Sequence, residues 1–514
     1  AQATQARNPM LVCELLHRFG LHLWLTGSHN ALRAAFEGIG EQAIAADPWL
    51  AVLSAMSHLE AGELAQAGDD LRHADLSGCQ DTATDVAILR AAADVLQAHA
   101  SGHIPSPRRS PEIATPPNAE PGVEALTRLI RAAACFRWSE DRSAARRELE
   151  YALMLASRHG FDYLTMQCRT LLGAVAAVGG DYHSMAAAGD DVVSFAAAHG
   201  WQHSLWSSTA YAMVANAALL RAEPVQAWLY SSQGLSYGET TITPAVRLAL
   251  EVMRGAAVFD SGRPVEGLAA MQHARVHFGA AALTAEQAVG TALLEHRAAV
   301  LLGHCATAAG VLTWLLERAD APGEVLLMRA WTEISAGHHH AAGDLVRSVL
   351  SGADQFILPH SMVEALLADA ALAVAAQEPV RAQQALQAAL TQAEPLDGLR
   401  PFALAGPAVR QLLVRGLGTF GLVESFASRA VAASDRIAQP PPTQPVTERE
   451  LAVLYLLPSL LSLEEIAEDL SISINTVKSH VRSIYAKLRV SSRRAAVVTA
   501  QEHGLLTTTA GMAR

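Results

Sequence analysis

Short turns marked by glycine or by Glu-Pro recur at a nearly regular interval, and this period constrains the fold more than any other feature of the sequence. They stand at Gly62-Glu63, Gly180-Asp181, Glu223-Pro224, Gly262-Arg263, Gly303-His304, Gly337-His338 and Glu378-Pro379. From Gly180 onward the intervals are 43, 39, 41, 34 and 41 residues by subtraction. A period of this size predicts stacked helical hairpins, each burying its apolar face against its neighbours.

The composition agrees with an all-α fold from about residue 8 to residue 435. Hydrophobic residues make up 51% of the chain and charged residues 17%, which is enough to fill large cores. Alanine and leucine are far commoner than β-branched and aromatic residues, and this balance favours helices. The pattern resembles a solenoid of the tetratricopeptide (TPR) type without that family's strict consensus, and the exact repeat class stays open.

Two proline-rich stretches divide the chain into predicted domains. Residues 105–122 contain six prolines and no apolar periodicity, and residues 439–445 read QPPPTQP. Proline-rich segments of this kind form extended linkers or loops. We therefore predict N-terminal helical repeats over 1–104, a linker or loop over 105–122, a TPR-like sensor or interaction solenoid over 123–438, a linker over 439–445 and a separate C-terminal domain over 446–508.

Lysine is almost missing from the sequence, and its scarcity excludes two classes of function. The only lysines are Lys478 and Lys487. A P-loop nucleotide site needs a lysine that follows glycine, and neither lysine does. A phosphoacceptor receiver domain also relies on a lysine and on alternating strands and helices, which the pattern lacks. We expect no enzyme activity and no cofactor in this chain.

Other candidate sites in the helical region are weaker. The histidines at 338–340 cannot all face one ion at a regular turn, and the five cysteines are scattered, so we predict no metal site. Tryptophans of the array could line an effector groove, although packing between helices is the commoner role of such residues; they are Trp201, Trp206, Trp228, Trp314 and Trp331. No apolar run approaches the ~18 residues of a membrane span.

The segment after the second linker carries three signals for helix starts. Thr447 with Glu450, and Ser462 with Glu465, have the spacing of capping boxes. Ser473 is a third candidate cap, after a break at 471–473. The segment thus predicts a helix to about 457, a short helix to about 470, a longer helix over 474–487 and a final helix from about 492 to 503. This spacing predicts a helix-turn-helix, whose second helix enters the major groove of DNA.

The charge pattern supports DNA binding by the helix at 474–487, although the net charge of the chain is −12. Residues 471–501 contain six cations and no acid, whereas residues 443–470 contain one cation and six acids. At ~100° per residue, Val477, Val481, Ile484 and Leu488 share the core side. Asn475, Ser479, Arg482 and Ala486 lie opposite, with Lys478 at the edge, and such side chains suit close approach to bases.

In order and spacing, residues 446–454 (VTERELAVL), 465–488 (EIAEDLSISINTVKSHVRSIYAKL) and 490–493 (VSSR) resemble the LuxR-type DNA-binding domain over about 60 residues. The resemblance implies base contacts from Lys478, Ser479 and Arg482. It implies phosphate contacts from Thr476, Lys487, Arg489 and Arg493, and a last helix that pairs two domains. Leu460 and Arg489 stand where the family usually has glycine.

The whole chain is similar to the large solenoid-bearing LuxR-type regulators, the kind that includes the maltose-regulon activator, and it apparently lacks their N-terminal ATPase domain. The resemblance implies a cytoplasmic, nucleoid-associated regulator of transcription, controlled by a small-molecule or protein effector on the array. Its expected partners are double-stranded DNA, a second copy in a homodimer or higher oligomer, and RNA polymerase, with no membrane. The alternative is a protein-binding scaffold with a weak or accessory DNA-binding tail.

Overall fold

A computed structural model describes most of the chain. The described residues are 8–76, 84–101, 119–135, 141–237, 242–352, 356–438, 448–459, 461–470, 472–488, 490 and 492–502. All regular secondary structure within these ranges is helical. The prediction of an all-α chain is confirmed.

Most helices of the array pack against the next helix along the chain. In the first half they are α1 (Pro9–Leu25), α2 (His29–Ile39), α3 (Glu41–Ala46), α4 (Pro48–Glu60), α5 (Leu64–Leu76), α6 (Thr84–Ser101), α7 (Pro121–Ala134), α8 (Arg142–His159), α9 (Asp162–Val178), α10 (Tyr182–His199), α11 (Leu205–Leu220) and α12 (Pro224–Tyr237). In the second half they are α13 (Pro244–Asp260), α14 (Pro264–Phe278), α15 (Ala285–Leu301), α16 (Cys305–Leu316), α17 (Pro322–Ser335), α18 (His339–Leu350), α19 (Pro359–Ala375), α20 (Pro379–Ala393), α21 (Arg400–Ala403), α22 (Pro407–Gly416) and α23 (Glu424–Ala438).

The turns inside the hairpins share one backbone geometry. A residue with positive φ precedes the start of the second helix by two positions, and these residues are Gly62, Gly180, Ala222, Gly262, Gly303, Gly337 and Gln377. At the α9–α10 turn, the Gly180 N–H donates to the Ala177 carbonyl at 3.1 Å and the Asp181 N–H to the Ala176 carbonyl at 2.9 Å. These two bonds form a Schellman motif, which satisfies carbonyls at the end of the first helix.

Aligning the turns on the positive-φ residue sharpens the period. From Gly180 the intervals become 42, 40, 41, 34 and 40 residues by subtraction of these positions. Two of the turns place a residue other than glycine in the left-handed region, Ala222 with φ 56° and Gln377 with φ 60°. A side chain there crowds its own backbone, at a cost of about 1 kcal/mol.

We expect Gly303→Ala to destabilise the array by about 1 kcal/mol, because φ at Gly303 is +73° while the space around its missing Cβ is empty. Gly310 lies in the helix of the same hairpin, and its Cβ position is also empty. Gly310→Ala should therefore stabilise the protein by about 1 kcal/mol through helix propensity. Midpoints of urea unfolding measure both changes, and equal shifts in one direction would refute the assignment of strain to the turn.

The array is continuous across the first proline-rich segment. Residues 105–118 of the predicted linker lie outside the described residues, and α7 begins at Pro121, so the last two linker positions are helical. One hydrophobic core contains residues from both sides, from Val12 and Leu96 to Val123 and Ala210. The described helices before residue 102 and those from α7 to the start of α11 therefore share a core.

A buried carboxylate ties these two parts together. Glu60 at the end of α4 accepts hydrogen bonds from the Tyr163 hydroxyl at 2.6 Å and from the Gln167 amide at 3.0 Å. The Trp206 indole N–H lies 3.3 Å from both of its oxygens. Burial raises the pKa of Glu60 to about 7, although each of these hydrogen bonds acts to lower it. Trp206 thus packs and hydrogen-bonds inside the array.

The array coils so that the α9–α10 hairpin contacts the start of α19, which is distant in sequence. The Tyr182 hydroxyl at the start of α10 lies 3.2 Å from His360 Nδ1 at the start of α19. A Cβ on Gly180 would lie 2.8 Å from Pro359 Cγ, so the backbone turn at Gly180 packs directly on this proline. The coil leads through α22 and α23 to residue 438, and the predicted linker 439–445 lies outside the described residues.

Candidate nucleic-acid interface

The C-terminal domain consists of four short helices around its own core. They are α24 (Glu448–Leu456), α25 (Leu463–Asp469), α26 (Ile474–Leu488) and α27 (Arg493–Glu502). The core contains buried side chains from all four, namely Val453, Leu454, Leu457, Ile466, Ala467, Val477, Val481, Ile484, Ala496 and Ala500. The order of a short helix, a tight turn and a longer helix over α25 and α26 is that of a helix-turn-helix.

Side-chain caps fix where α25 and α26 begin. The Glu465 N–H donates to Ser462 Oγ at 3.2 Å, and the Ser462 N–H donates to Glu465 Oε2 at 2.7 Å, which completes a capping box. These bonds to Ser462 lower the pKa of Glu465. The Thr476 N–H donates to Ser473 Oγ at 3.1 Å, and the two hydroxyl oxygens lie 2.8 Å apart. Ser462, Glu465 and Ser473 therefore occupy cap positions.

One face of α26 is buried and the opposite face is open. Val477 and Ile484 are fully buried and Val481 is nearly so. Among the predicted contact residues, Thr476, Lys478, Ser479 and Arg482 are exposed, as is Asn475. The side chains of Ala486 and Leu488 lie outside the description. The open face carries two cations beside short hydrogen-bonding side chains.

The side chain of Lys487 is buried inside the domain, whereas a phosphate contact requires an exposed side chain. It is only 7% exposed, and its Nζ lies 2.6 Å from Glu450 Oε2. The Ser483 hydroxyl donates to the other oxygen, Glu450 Oε1, at 2.6 Å. A buried ammonium held by a carboxylate is not offered to DNA, so the structure corrects this assignment: Lys487 joins α26 to α24. The predicted partner of Glu450 in a capping box, Thr447, lies outside the described residues.

Arg493 is also engaged within the domain. Its guanidinium donates to three backbone carbonyls between α24 and α25, Leu457 at 2.8 Å, Ser459 at 2.9 Å and Leu461 at 2.8 Å. Carbonyls after a helix end have no partner within the helix, and an arginine fork can satisfy several of them. The structure therefore gives Arg493 a structural role in place of the predicted phosphate contact. Arg489 lies outside the described residues.

After these corrections, few of the predicted and neighbouring cations are exposed to solvent. Within 472–488 and 492–500, the exposed arginine and lysine side chains are Lys478, Arg482 and Arg494. Sequence reasoning missed the Glu450–Lys487 pair and the Arg493 clamp. The sequence left the direction of Lys487 open, because this residue lies about 90° from the centre of the apolar face, at the boundary where a long side chain can turn either way.

Two other expectations concern the rest of the described chain. His338 Nδ1 lies 2.8 Å from Glu333 Oε2 at the α17–α18 turn. Across the described residues, no three histidine, cysteine or acidic side chains are grouped so that they could hold a metal ion. A search of those same residues finds no helix with the length and apolar character needed to cross a membrane.

Comparisons with known proteins agree on the domain. Residues 444–500 match the family model of bacterial regulatory proteins, luxR family. The HTH-type transcriptional regulator MalT of Vibrio campbellii is 44% identical over 59 residues, 12% of this chain and 6% of that protein. MalT of Vibrio cholerae is 43% identical over 60 residues, 12% of this chain and 7% of that protein. The match therefore spans a small fraction of these relatives.

A solved structure resembles the array. The crystal structure of a Rap protein complexed with competence and sporulation factor aligns with a TM-score of 0.51 at 11% identity. The alignment covers 68% of this chain and 98% of that one. At this identity the likeness establishes a shared helical-solenoid fold.

Proposed function

From a LuxR-type helix-turn-helix domain at the C-terminal end, we propose that the chain is a sequence-specific regulator of transcription that places α26 in the major groove of DNA. The observation that carries the proposal is the open face of α26, where Lys478 and Arg482 are exposed beside Ser479. Arginine and lysine read guanine in the major groove, and short hydroxyls tolerate close approach to either base.

We propose for these residues the roles on DNA that the resemblance to the LuxR-type domain implies, except where a side chain is engaged within the domain. Lys478, Ser479 and Arg482 contact base edges. Thr476, capped by Ser473 at the start of α26, contacts a phosphate through its hydroxyl and the positive end of the helix dipole. Arg489 keeps its proposed phosphate contact, whereas Lys487 and Arg493 hold the domain together.

We further propose that the helical array controls this domain by binding an effector. Stacked helical hairpins form extended surfaces for partners, and the array makes up most of the chain. The Rap structure, a solenoid of the same fold, is complexed with competence and sporulation factor. In this proposal the regulator works in the cytoplasm on double-stranded DNA, as a dimer or higher oligomer that contacts RNA polymerase.

The second candidate function is a protein-binding scaffold whose tail binds DNA weakly. The absence of acids from residues 471–501 favours the regulator, because a merely solvated helix face normally includes acids. The two functions predict different strengths of DNA binding for the isolated C-terminal domain.

The experiment uses a fragment of residues 440–514, whose described helices have their own core. We expect it to bind mixed-sequence duplex DNA with a slope of log K against log salt of about −4, because the exposed Lys478, Arg482 and Arg494 and the proposed phosphate contact Arg489 each release about 0.9 counterion. Fluorescence anisotropy across a salt series measures the slope. Absent or salt-insensitive binding would contradict the regulator and leave the scaffold.

A further inference from the structure

Residues 394–405, which we call the strap, leave the order of the array. After the α19–α20 hairpin the chain forms a 3-10 turn at Glu394–Leu396, passes through Asp397 with φ +51° and forms the short α21. The Leu399 N–H then donates to the Leu220 carbonyl at 2.8 Å. The strap therefore does not add another hairpin but folds back against the end of α11, four hairpins earlier.

Ion pairs hold the strap on the array. Arg400 donates through Nε to Asp260 Oδ2 at 2.6 Å and through Nη2 to Asp260 Oδ1 at 3.0 Å, with side chains 9% and 0% exposed. On the other side, Arg221 Nε donates to Asp397 Oδ2 at 2.8 Å. A bidentate arginine–carboxylate pair fixes direction and register as well as distance.

Further along the strap, the contacts continue to α15 and the final hairpin. Arg297 Nη2 donates to the Leu404 carbonyl at 3.0 Å. Phe402 is 1% exposed and packs edge-on against Phe426 of α23, with ring centroids 6.0 Å apart. The strap thus connects the ends of α11 and α13 to the hairpin that leads into the C-terminal domain.

These contacts are of the kinds by which a groove recognises a peptide: a main-chain hydrogen bond, charged side chains in matched pairs and a buried aromatic ring. We propose that the surface formed by the ends of α11 and α13, by α15 and by Phe426 of α23 is a peptide-binding groove, occupied in this structure by the strap. Its ligand is a peptide with the charge order of the strap, an acid, an arginine three residues later and an aromatic two residues after that. The inference rests on the proposed control by an effector and identifies its site.

The charged contacts of the strap make such an exchange feasible, and the aromatic residue of the ligand must take the place of Phe402 in the core that it shares with α19, α20 and α23. Breaking a buried ion pair is costly when one charge is left alone, but a ligand that offers the same charge to Asp260 restores the pair. Because the strap belongs to the same chain as the groove, its effective concentration at the groove is on the order of millimolar. A free peptide must therefore overcome the tether, and weakening the strap should reveal the groove.

The test uses the full chain and a fluorescein-labelled peptide of sequence EPLDGLRPFALA, which is residues 394–405. We expect the Arg400→Ala chain to bind the peptide at least tenfold more tightly than the wild-type chain does, in anisotropy titrations. Binding should disappear in the Arg400→Ala/Asp260→Ala chain and for a peptide in which alanine replaces arginine. If Arg400→Ala does not fold, as judged by circular dichroism, Asp397→Ala serves as the weakened chain under the same criterion.

The proposal fails if the folded weakened chain binds no better than wild type, or if its binding does not depend on Asp260. A second experiment tests the link to DNA: when the weakened chain binds the peptide, duplex DNA is titrated into this chain with and without the peptide. Peptide binding that leaves DNA affinity unchanged upholds the groove and overturns effector control of the DNA-binding domain. The two failures are therefore distinguishable.

Discussion

Replacing Lys478 and Arg482 together by alanine is expected to lower the affinity of the full chain for selected DNA sites by roughly 100- to 1,000-fold. Each base contact of this kind contributes about 1–3 kcal/mol of discrimination, and two of moderate strength give about 3–4 kcal/mol. Both side chains are exposed on α26, away from the core of the domain. We therefore expect fold and stability to remain unchanged.

The measurement compares binding to duplexes that the wild-type chain selects from a random pool with binding to mixed-sequence DNA. The loss should be larger on the selected duplexes, since base contacts carry the sequence preference and phosphate contacts do not. Arg146→Ala with Arg347→Ala is the matched control, because it removes two exposed cations from α8 and α18 in the array. Equal small losses in all variants would contradict base reading by α26.

The second large effect concerns stability. Glu450→Ala should destabilise the C-terminal domain by about 3–5 kcal/mol, because it leaves the buried Lys487 ammonium without its carboxylate. A domain of this size has only a few kcal/mol of total stability, so the variant should be largely unfolded at 37 °C. Circular dichroism of the 440–514 fragment on heating measures the change.

A double substitution tests whether the unpaired charge of Lys487 causes the loss of stability. Glu450→Leu with Lys487→Met removes both charges and keeps apolar volume, so it should restore most of the stability lost in Glu450→Ala. Glu464→Ala, an exposed acid in α25, should shift the midpoint little. If the double variant is as unstable as the single one, the pair is not the cause.

The faces of α26 could be predicted because they depend on a local period alone. Val477, Val481 and Ile484 recur at helical spacing, so the buried face and its opposite follow from the sequence. Lys487 could not be assigned in this way. It lies at the edge of that face, and its direction depends on Glu450, a residue of another helix whose carboxylate also suited a local cap.

The hairpin turns show the same limit in the array. Glycine marked five of the turns correctly, but nothing local indicated that Ala222 and Gln377 adopt the same left-handed conformation. Both turns nevertheless form the two backbone hydrogen bonds of the Schellman motif, as the glycine turns do. The strap lies further beyond sequence reasoning, since the partners of Arg400 and Leu399 are more than a hundred residues away.

The ion pair between Lys487 and Glu450 also determines which lysine side chain can be modified by acylation. The chain contains two lysines, and one of them is buried and paired. Lys478 on the open face of α26 is therefore the one side-chain amine that an acylating reagent or an acetyltransferase meets on the folded protein. In the proposed function, a single such modification would neutralise a charge on the surface that contacts DNA, so we expect acylation of Lys478 to weaken DNA binding.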